Sequence, residues 1–234
     1  MKILLTNDDG IEAPGLVAME DALARASGDK ANATIAAPHR GYSGCGHLVT
    51  YIEPIRVEEL SPSRFKVHGT PADCTRLGIL ECARGTELVL SGINEGANVG
   101  TDLWMSGTVA AVREAGWLGV PGVAISQYLC RPERDWDKTV QMAVRVLQKL
   151  LAEPIEQKFF NINLPDVDTP VDDIPIVQTF PEPKHLEVEY RKNEDGHYCM
   201  NDTYRNRPRT AGSDVDVCFG GSISVSEVPW VAKP

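Results

Sequence analysis

The sequence predicts an α/β domain with a mostly parallel sheet and helices on both faces, followed by a C-terminal antiparallel β arm. Three observations carry this. Apolar runs of strand length alternate with amphipathic stretches of helix length through about residue 164. The helix-length stretches carry start signals, among them Pro14, Thr70-Pro71 and Ser106. From residue 173 the texture becomes turn-rich and strand-like, with helix signals nearly absent. With 42% hydrophobic residues among 234, the chain can bury a substantial core. We divide it into a main domain over 1–170 and an arm over 171–234.

Residues 2–6 (KILLT) read as a buried strand. Pro14 opens a helix with Leu16, Met19, Leu23 and Ala26 on one face, and Gly28 closes it. Residues 33–37 (ATIAA) are the second strand, and a strand-helix-strand unit pairs its strands in parallel. A glycine-rich loop follows over 41–47, then strands over 51–60 and 64–68 outside the main repeat. Thr70, Pro71 and Asp73 make a capping box that opens a helix to about residue 82. Residues 88–91 form a strand, Ser106 opens a helix to about 117, and 122–126 form another strand. Val140, Ala143, Val144, Leu147, Leu150 and Leu151 recur at the helical period, and Pro154 ends that helix. Residues 159–164 alternate as a strand. In the arm, 186–191 and 197–201 flank Asp195-Gly196, a hairpin signal.

The net charge is 23 minus 33, or −10, which argues against a nucleic-acid binder. A phosphate ligand on such a protein needs a local cation or a set of backbone donors. No apolar run approaches the roughly 18–20 residues that span a bilayer, and the N-terminal run is too short for a signal peptide. The six cysteines form no C-x-x-C pair, and we read them as reduced thiols of a cytoplasmic protein.

Two acids, Asp8 and Asp9, end the first strand. Ligands of an open parallel sheet bind beyond the carboxyl ends of its strands. Ser43 lies in the loop after the second strand and Asn94 follows the strand over 88–91, so parallel strands would bring all four residues to one rim. Two like charges about 4 Å apart repel by roughly 4 kcal/mol at an effective dielectric near 20. Such a pair stays in water, shares a proton or binds a cation, and an all-oxygen set suits Mg²⁺, Mn²⁺ or Ca²⁺. Asn7-Asp8-Asp9-Gly10 is equally good turn chemistry. On the same rim, Asn98 and the Ser106-Gly107-Thr108 helix start offer amide, hydroxyl and backbone donors for a phosphate. Plain N-capping by Ser106 is the competing account. The segment is neither a Walker loop nor a G-x-G-x-x-G loop.

Five motifs then stand in order: LLTNDDG (4–10), APHRGYSG (37–44), GTPADC (69–74), SGINEGAN (91–98) and SGTV (106–109). Together they resemble the SurE family of stationary-phase survival proteins, over about residues 1–165. The resemblance implies a Rossmann-like domain and hydrolysis of nucleoside 5′/3′-monophosphates, with short polyphosphate cleaved by some relatives. It implies one divalent metal per subunit held by Asp8, Asp9, Ser43 and Asn94. It also implies homodimers or homotetramers built through the C-terminal arm. His39, Gly41, Tyr42, Cys45 and His47 depart from the family pattern around the metal loop.

Within this reading Asp8 or Asp9 positions or deprotonates the attacking water, and Asn98, Ser106, Gly107 and Thr108 bind phosphate or substrate. A nucleotide or metal sensor without turnover is the other class considered. An aspartyl-phosphate enzyme ranks lower, because the acids are adjacent and Gly10-Ile11 follows them. His39 and His47 are candidate substrate contacts or proton donors, weighed against an incidental loop position. The basic run YRNRPR (204–209) reads as a solvated turn, or as a phosphate contact in a neighbouring subunit.

Overall fold

The computed structural model describes all residues except 29–30, 154, 156–157, 201–203 and 229–234. The expected helix stop at Pro154 and the Asn201 end of the hairpin lie outside the described residues. No helix is long and apolar enough to cross a membrane among those described.

Strand β1 (Lys2–Thr6) leads through α1 (Pro14–Ser27) to β2 (Asn32–Pro38). Strands β3 (Val57–Ser61) and β4 (Arg64–Val67) precede α2 (Pro71–Leu77). The chain continues through β5 (Leu88–Glu95), α3 (Asp102–Met105), α4 (Gly107–Trp117) and β6 (Gly122–Gln127). Helix α5 (Trp136–Leu151) and β7 (Phe159–Leu164) complete the repeat. After it come β8 (Ile176–Thr179), β9 (Tyr190–Lys192), β10 (Tyr198–Met200), α6 (Asp214–Phe219) and β11 (Ile223–Val228).

Among the described residues the main sheet has nine strands in the order β3-β4-β2-β1-β5-β6-β7-β11-β8. From β4 to β7 all neighbours are parallel. Strand alternation sorts the side chains into two cores. Ile3, Leu5, Leu88, Leu90, Val123 and Ile125 meet α1 and α5 through Leu16, Met19, Leu23, Val140 and Leu147. Leu4, Val89 and Ala124 meet α2 and α4 through Cys74, Val109, Val112 and Ala115 on the other face. This double coverage is what continuous apolar strands such as KILLT require.

The predicted capping box is present. The Thr70 hydroxyl accepts from the Asp73 N–H at 3.2 Å, and the Asp73 carboxylate accepts from the Thr70 N–H at 2.9 Å. Asp73 also accepts from the Thr50 N–H and hydroxyl, tying down the loop before β3. The helix over 70–82 is α only to Leu77, and residues Gly78–Cys82 continue it as a π-helical turn. Of the strand expected over 51–60 only the last four residues form, within Val57–Ser61.

The C-terminal region departs most from expectation. The predicted hairpin exists as β9 and β10, paired antiparallel outside the main sheet. Strands β8 and β11, however, belong to the main sheet: β11 pairs antiparallel with β7 and parallel with β8. The sheet therefore runs past residue 170, and the separate arm reduces to the hairpin and its flanks. The reason is apolar surface: Ile223 and Val225 of β11 join the core under α5. Helix α6 is a further departure, capped by the Ser213 hydroxyl accepting from the Asp216 N–H at 3.3 Å.

Candidate active site

The chain steps outward from β1 to β2 and β4, then returns to β5 on the other side of β1. The connections after β1 and β5 diverge there, which opens a crevice at the carboxyl edge. Asp8 and Asp9 follow β1, and Asn94 lies near the end of strand β5, past an irregularity in its pairing with β6 between Gly92 and Asn94. The strand thus extends beyond the expected 88–91 and carries Asn94 itself. The loop after β2 reaches the same place, since the Tyr42 N–H donates to the Asp8 carbonyl at 2.7 Å. Ser43 is the next residue and is exposed.

Asp8 is 4% exposed. Its Oδ1 accepts from the Thr108 hydroxyl at 2.5 Å. Burial pushes its carboxyl up, while the Thr108 hydroxyl and the N–H groups of Asp8, Thr108 and Gly107 oppose that rise. The start of α4 therefore receives the protein's own carboxylate. A Cβ on Gly107 would lie 2.8 Å from the Asp8 Cβ and 3.0 Å from its Oδ2, so only glycine admits this approach. Cys45 packs at the same point, and burial and the Asp8 charge push its thiol up.

Asp9 is held differently. Its Oδ2 is buried without a hydrogen-bond partner. Burial, then the Asp8 charge, pushes its carboxyl up to about 6; the Glu95 backbone N–H opposes this and the Glu95 charge adds to it. Glu95, which the sequence reading did not single out, is thereby part of the site, and Arg134 pairs with it at 2.8 Å. The Asn94 side chain donates from Nδ2 to the Gly96 carbonyl at 2.7 Å, leaving its Oδ1 as an acceptor.

The other predicted contacts divide. Ser106 is the N-cap of α4, its Oγ accepting from the Val109 N–H at 3.2 Å, so the capping account holds for it. Thr108 commits its hydroxyl to Asp8. Asn98 lies on the β6–β7 side, donating from Nδ2 to the Ser126 hydroxyl and from its backbone N–H to the Asn163 Oδ1, both at 2.8 Å. Its carbonyl accepts from Asn161 at 2.8 Å and Asn163 at 3.1 Å. This polar network turns the 94–98 loop over the sheet edge.

The loop histidines have protein partners. The His47 Nε2 lies 2.7 Å from the Glu114 Oε2, and its ring stacks on Trp117. Burial opposes the Glu114 charge, but hydrogen bonds from His47 and Arg76 outweigh it and hold the carboxyl below its usual range. His39 stacks on His68 with ring centroids 4.5 Å apart. The basic run is solvated at Arg205 and Arg209 but not at Arg207, which is 6% exposed and pairs with Asp102 at 2.6 Å, against the α3 end of the 91–102 segment.

Comparison with known proteins bears on this rim. Residues 3–182 match the family model described as "Survival protein SurE". A protein of Nostoc sp. is 44% identical over 230 residues, covering 97% of this chain and 99% of the relative. "5'-nucleotidase SurE" of Paramagnetospirillum magneticum is 37% identical over 233 residues, covering 97% of this chain and 88% of the relative. The crystal structure of the SurE protein from Aquifex aeolicus superimposes with a TM-score of 0.84 at 28% identity, over 100% of this chain and 95% of that one. With the family match spanning most of the chain and the motifs gathered at the sheet's switch point, this chain belongs to the SurE family.

Proposed function

We propose that the chain is a metal-dependent phosphomonoesterase that hydrolyses nucleoside 5′- and 3′-monophosphates to nucleoside and phosphate, with short polyphosphate as a further substrate. The observation that carries this reading is the unequal carboxylate pair: Asp8 is fixed by Thr108, and Asp9 keeps a buried, unpartnered Oδ2 beside it. The name of the P. magneticum relative supports a nucleotide as the substrate class.

The donor set fits one hard divalent ion, Mg²⁺ or Mn²⁺, with Ca²⁺ able to take its place. Asp8, Asp9, the Ser43 hydroxyl and the Asn94 Oδ1 would hold it. Among the described residues no group of three His, Cys, Asp or Glu side chains is placed to hold a metal, so the neutral oxygens of Ser43 and Asn94 are needed to complete the set. When bound, the ion supplies positive charge at the phosphate oxygens and acidifies water. Asp8 or Asp9 would orient the attacking water and receive its proton; burial raises both carboxyls, in the direction a proton acceptor near neutral pH requires. Ser106 accepts a hydrogen bond in its capping role, which leaves its hydroxyl proton for a phosphate oxygen. The amides of Gly107 and Thr108 offset the Asp8 charge and so lower the repulsion an incoming anion meets. Homodimers or homotetramers would form through the β9–β10 hairpin, whose Tyr190, Tyr198 and Met200 are exposed. A cytoplasmic site of action completes the reading.

Phosphate release from a panel of nucleoside monophosphates tests this. Chelation is expected to stop release and added Mn²⁺ to restore it. No release with any divalent ion would turn the reading to a sensor, and a trapped phosphoryl-aspartate to the aspartyl-phosphate mechanism.

Thr108→Val tests the support of Asp8. Removing the hydroxyl leaves a buried carboxylate short of a donor and pushes its proton affinity further up. Metal affinity is expected to fall about 10–100-fold, as for other outer partners of metal ligands. Titration of metal-free protein with Mn²⁺, followed calorimetrically, reads the change; unchanged affinity would show that Thr108 only packs.

A further inference from the structure

Beyond the carboxylate pair, the same rim carries a set of guanidiniums that the proposed reaction does not use. The Tyr204 hydroxyl donates to the Ala97 carbonyl at 2.7 Å, and Arg207 donates to the Val99 carbonyl at 3.0 Å and pairs with Asp102. These bonds clamp residues 204–209 onto the segment that bears Asn94 and Asn98. Arg205 and Arg209 are thereby displayed at the surface. The Arg205 Nη2 donates to the Cys130 carbonyl at 3.0 Å. The Arg209 Nη2 donates to the Arg205 carbonyl at 3.2 Å, and its guanidinium lies 5.2 Å from the Phe219 ring centroid. Phe219 stacks at 4.1 Å on Tyr128, which directly follows β6. Both cations thus cluster around the Tyr128–Phe219 stack.

Charge balance separates these two from their neighbours. Arg131 pairs with Asp166 and Asp168, Arg134 with Glu95, and Arg207 with Asp102. Among the described residues, no carboxylate pairs with Arg205 or Arg209. In a chain of net charge −10, two guanidiniums without a carboxylate partner, beside the Tyr128 ring that is itself 8% exposed, are free to meet an anion. Burial raises the Tyr128 phenol while the Arg205 and Arg209 charges oppose it, which agrees with both lying near its ring.

We infer that Arg205, Arg209 and Tyr128 form a second phosphate subsite, one that takes a phosphate group of the substrate other than the one being hydrolysed. Nucleotides carrying two separate phosphates are then the better substrates. The substrate assignment rests on the phosphomonoesterase reading of the Asp8–Asp9 rim, whereas the anion subsite itself does not.

The test compares adenosine 3′,5′-bisphosphate with adenosine monophosphate. Michaelis constants are measured on the Mn²⁺-loaded enzyme, and equilibrium binding is measured under chelation, where no metal-dependent turnover intervenes. The wild-type protein is expected to favour the bisphosphate by about tenfold, the scale of one charged hydrogen bond. R205Q/R209Q is expected to erase that preference and R205K/R209K to keep part of it. Equal preference in wild type and the Gln variant overturns the subsite, whether or not hydrolysis occurs. A preference lost in the Gln variant with no phosphate released from any nucleotide keeps the subsite and sinks the catalytic reading. Inorganic phosphate is the third ligand: if it binds as tightly as the bisphosphate and loses affinity equally in the variant, the site serves free phosphate and the substrate assignment fails. Should the Gln variant not fold, the wild-type preference must still shrink as ionic strength rises, and its persistence at high salt refutes the proposal.

Discussion

Asp9→Asn is expected to have opposite effects on stability with and without a divalent ion, and to lower phosphate release by about 10²–10⁴-fold. In the metal-free protein the Asp9 charge is a burden: it is partly desolvated, beside Asp8 and near Glu95. Its folded pKa, about 6, lies above the ordinary value of 3.8. The linked stability is therefore complete below 3.8 and is lost as pH rises through about 6. Above that range the charged carboxylate opposes folding, so at pH near 8 the chelated Asn variant should melt above the wild type. With Mn²⁺ the order should reverse. A ligand at a hundred times its dissociation constant adds about 2.7 kcal/mol, or roughly 5–10 °C for a chain of this size. The variant should gain far less. Thermal unfolding at pH 8, with chelator and then with Mn²⁺, reads both effects; equal metal-induced shifts would remove Asp9 from the ligand set.

Gly15→Ala, in the first turn of α1, is expected to be strongly destabilising. A Cβ at residue 15 would stand 1.9 Å from the Ile93 carbonyl oxygen and 3.0 Å from its carbon, with the Trp136 ring at 3.3 Å. Helix propensity favours Ala by about 1 kcal/mol. The clash decides the sign, because neither backbone can yield cheaply. Helix α1 is pinned by fully buried Leu16 and Met19, and β5 is held between β1 and β6. A net loss of about 3 kcal/mol or more is expected, a fall in Tm of roughly 6–12 °C. Ile93 precedes Asn94, so relief of the clash should also displace the amide oxygen proposed for the metal. Melting under chelation and Mn²⁺ titration separate the two consequences. A loss below about 1 kcal/mol would show that α1 can slide.

The repeat from β1 to β7 was legible because its signals are local. Thr70-Pro71 with Asp73, the Ser106 cap and the periodic apolar face after residue 136 each identify an element within one turn of chain. The parallel order then follows from connection rules, and it brings Asp8, Asp9 and Asn94 to one edge. What stayed hidden involves partners far apart. Thr108 and Asp8 are separated by 100 residues, and nothing around either announces the bond. That Asp8 faces the Gly107 and Thr108 amides is likewise not visible in Ser106-Gly107-Thr108 itself. Strand β11 reads as arm because ISVSEV has the same alternation whether it joins a hairpin or a large sheet. The bonds that tie Asn98 to Ser126, Asn161 and Asn163 are hidden too, since an asparagine among glycines suits a binding loop as well as an internal network. Helix α6 is short enough that Ser213 followed by two aspartates was its only cue.

The insertion of β11 between β7 and β8 has a consequence for how the polypeptide is made. During synthesis β8 leaves the ribosome well before β11, yet among the described residues its one neighbour in the main sheet is β11. The nascent chain must hold that flank open, with the β7 edge bare, until the last strand arrives to bridge both. A premature stop between residues 180 and 222 would therefore leave two orphaned strand edges rather than one shortened tail, and such edges are templates for aggregation.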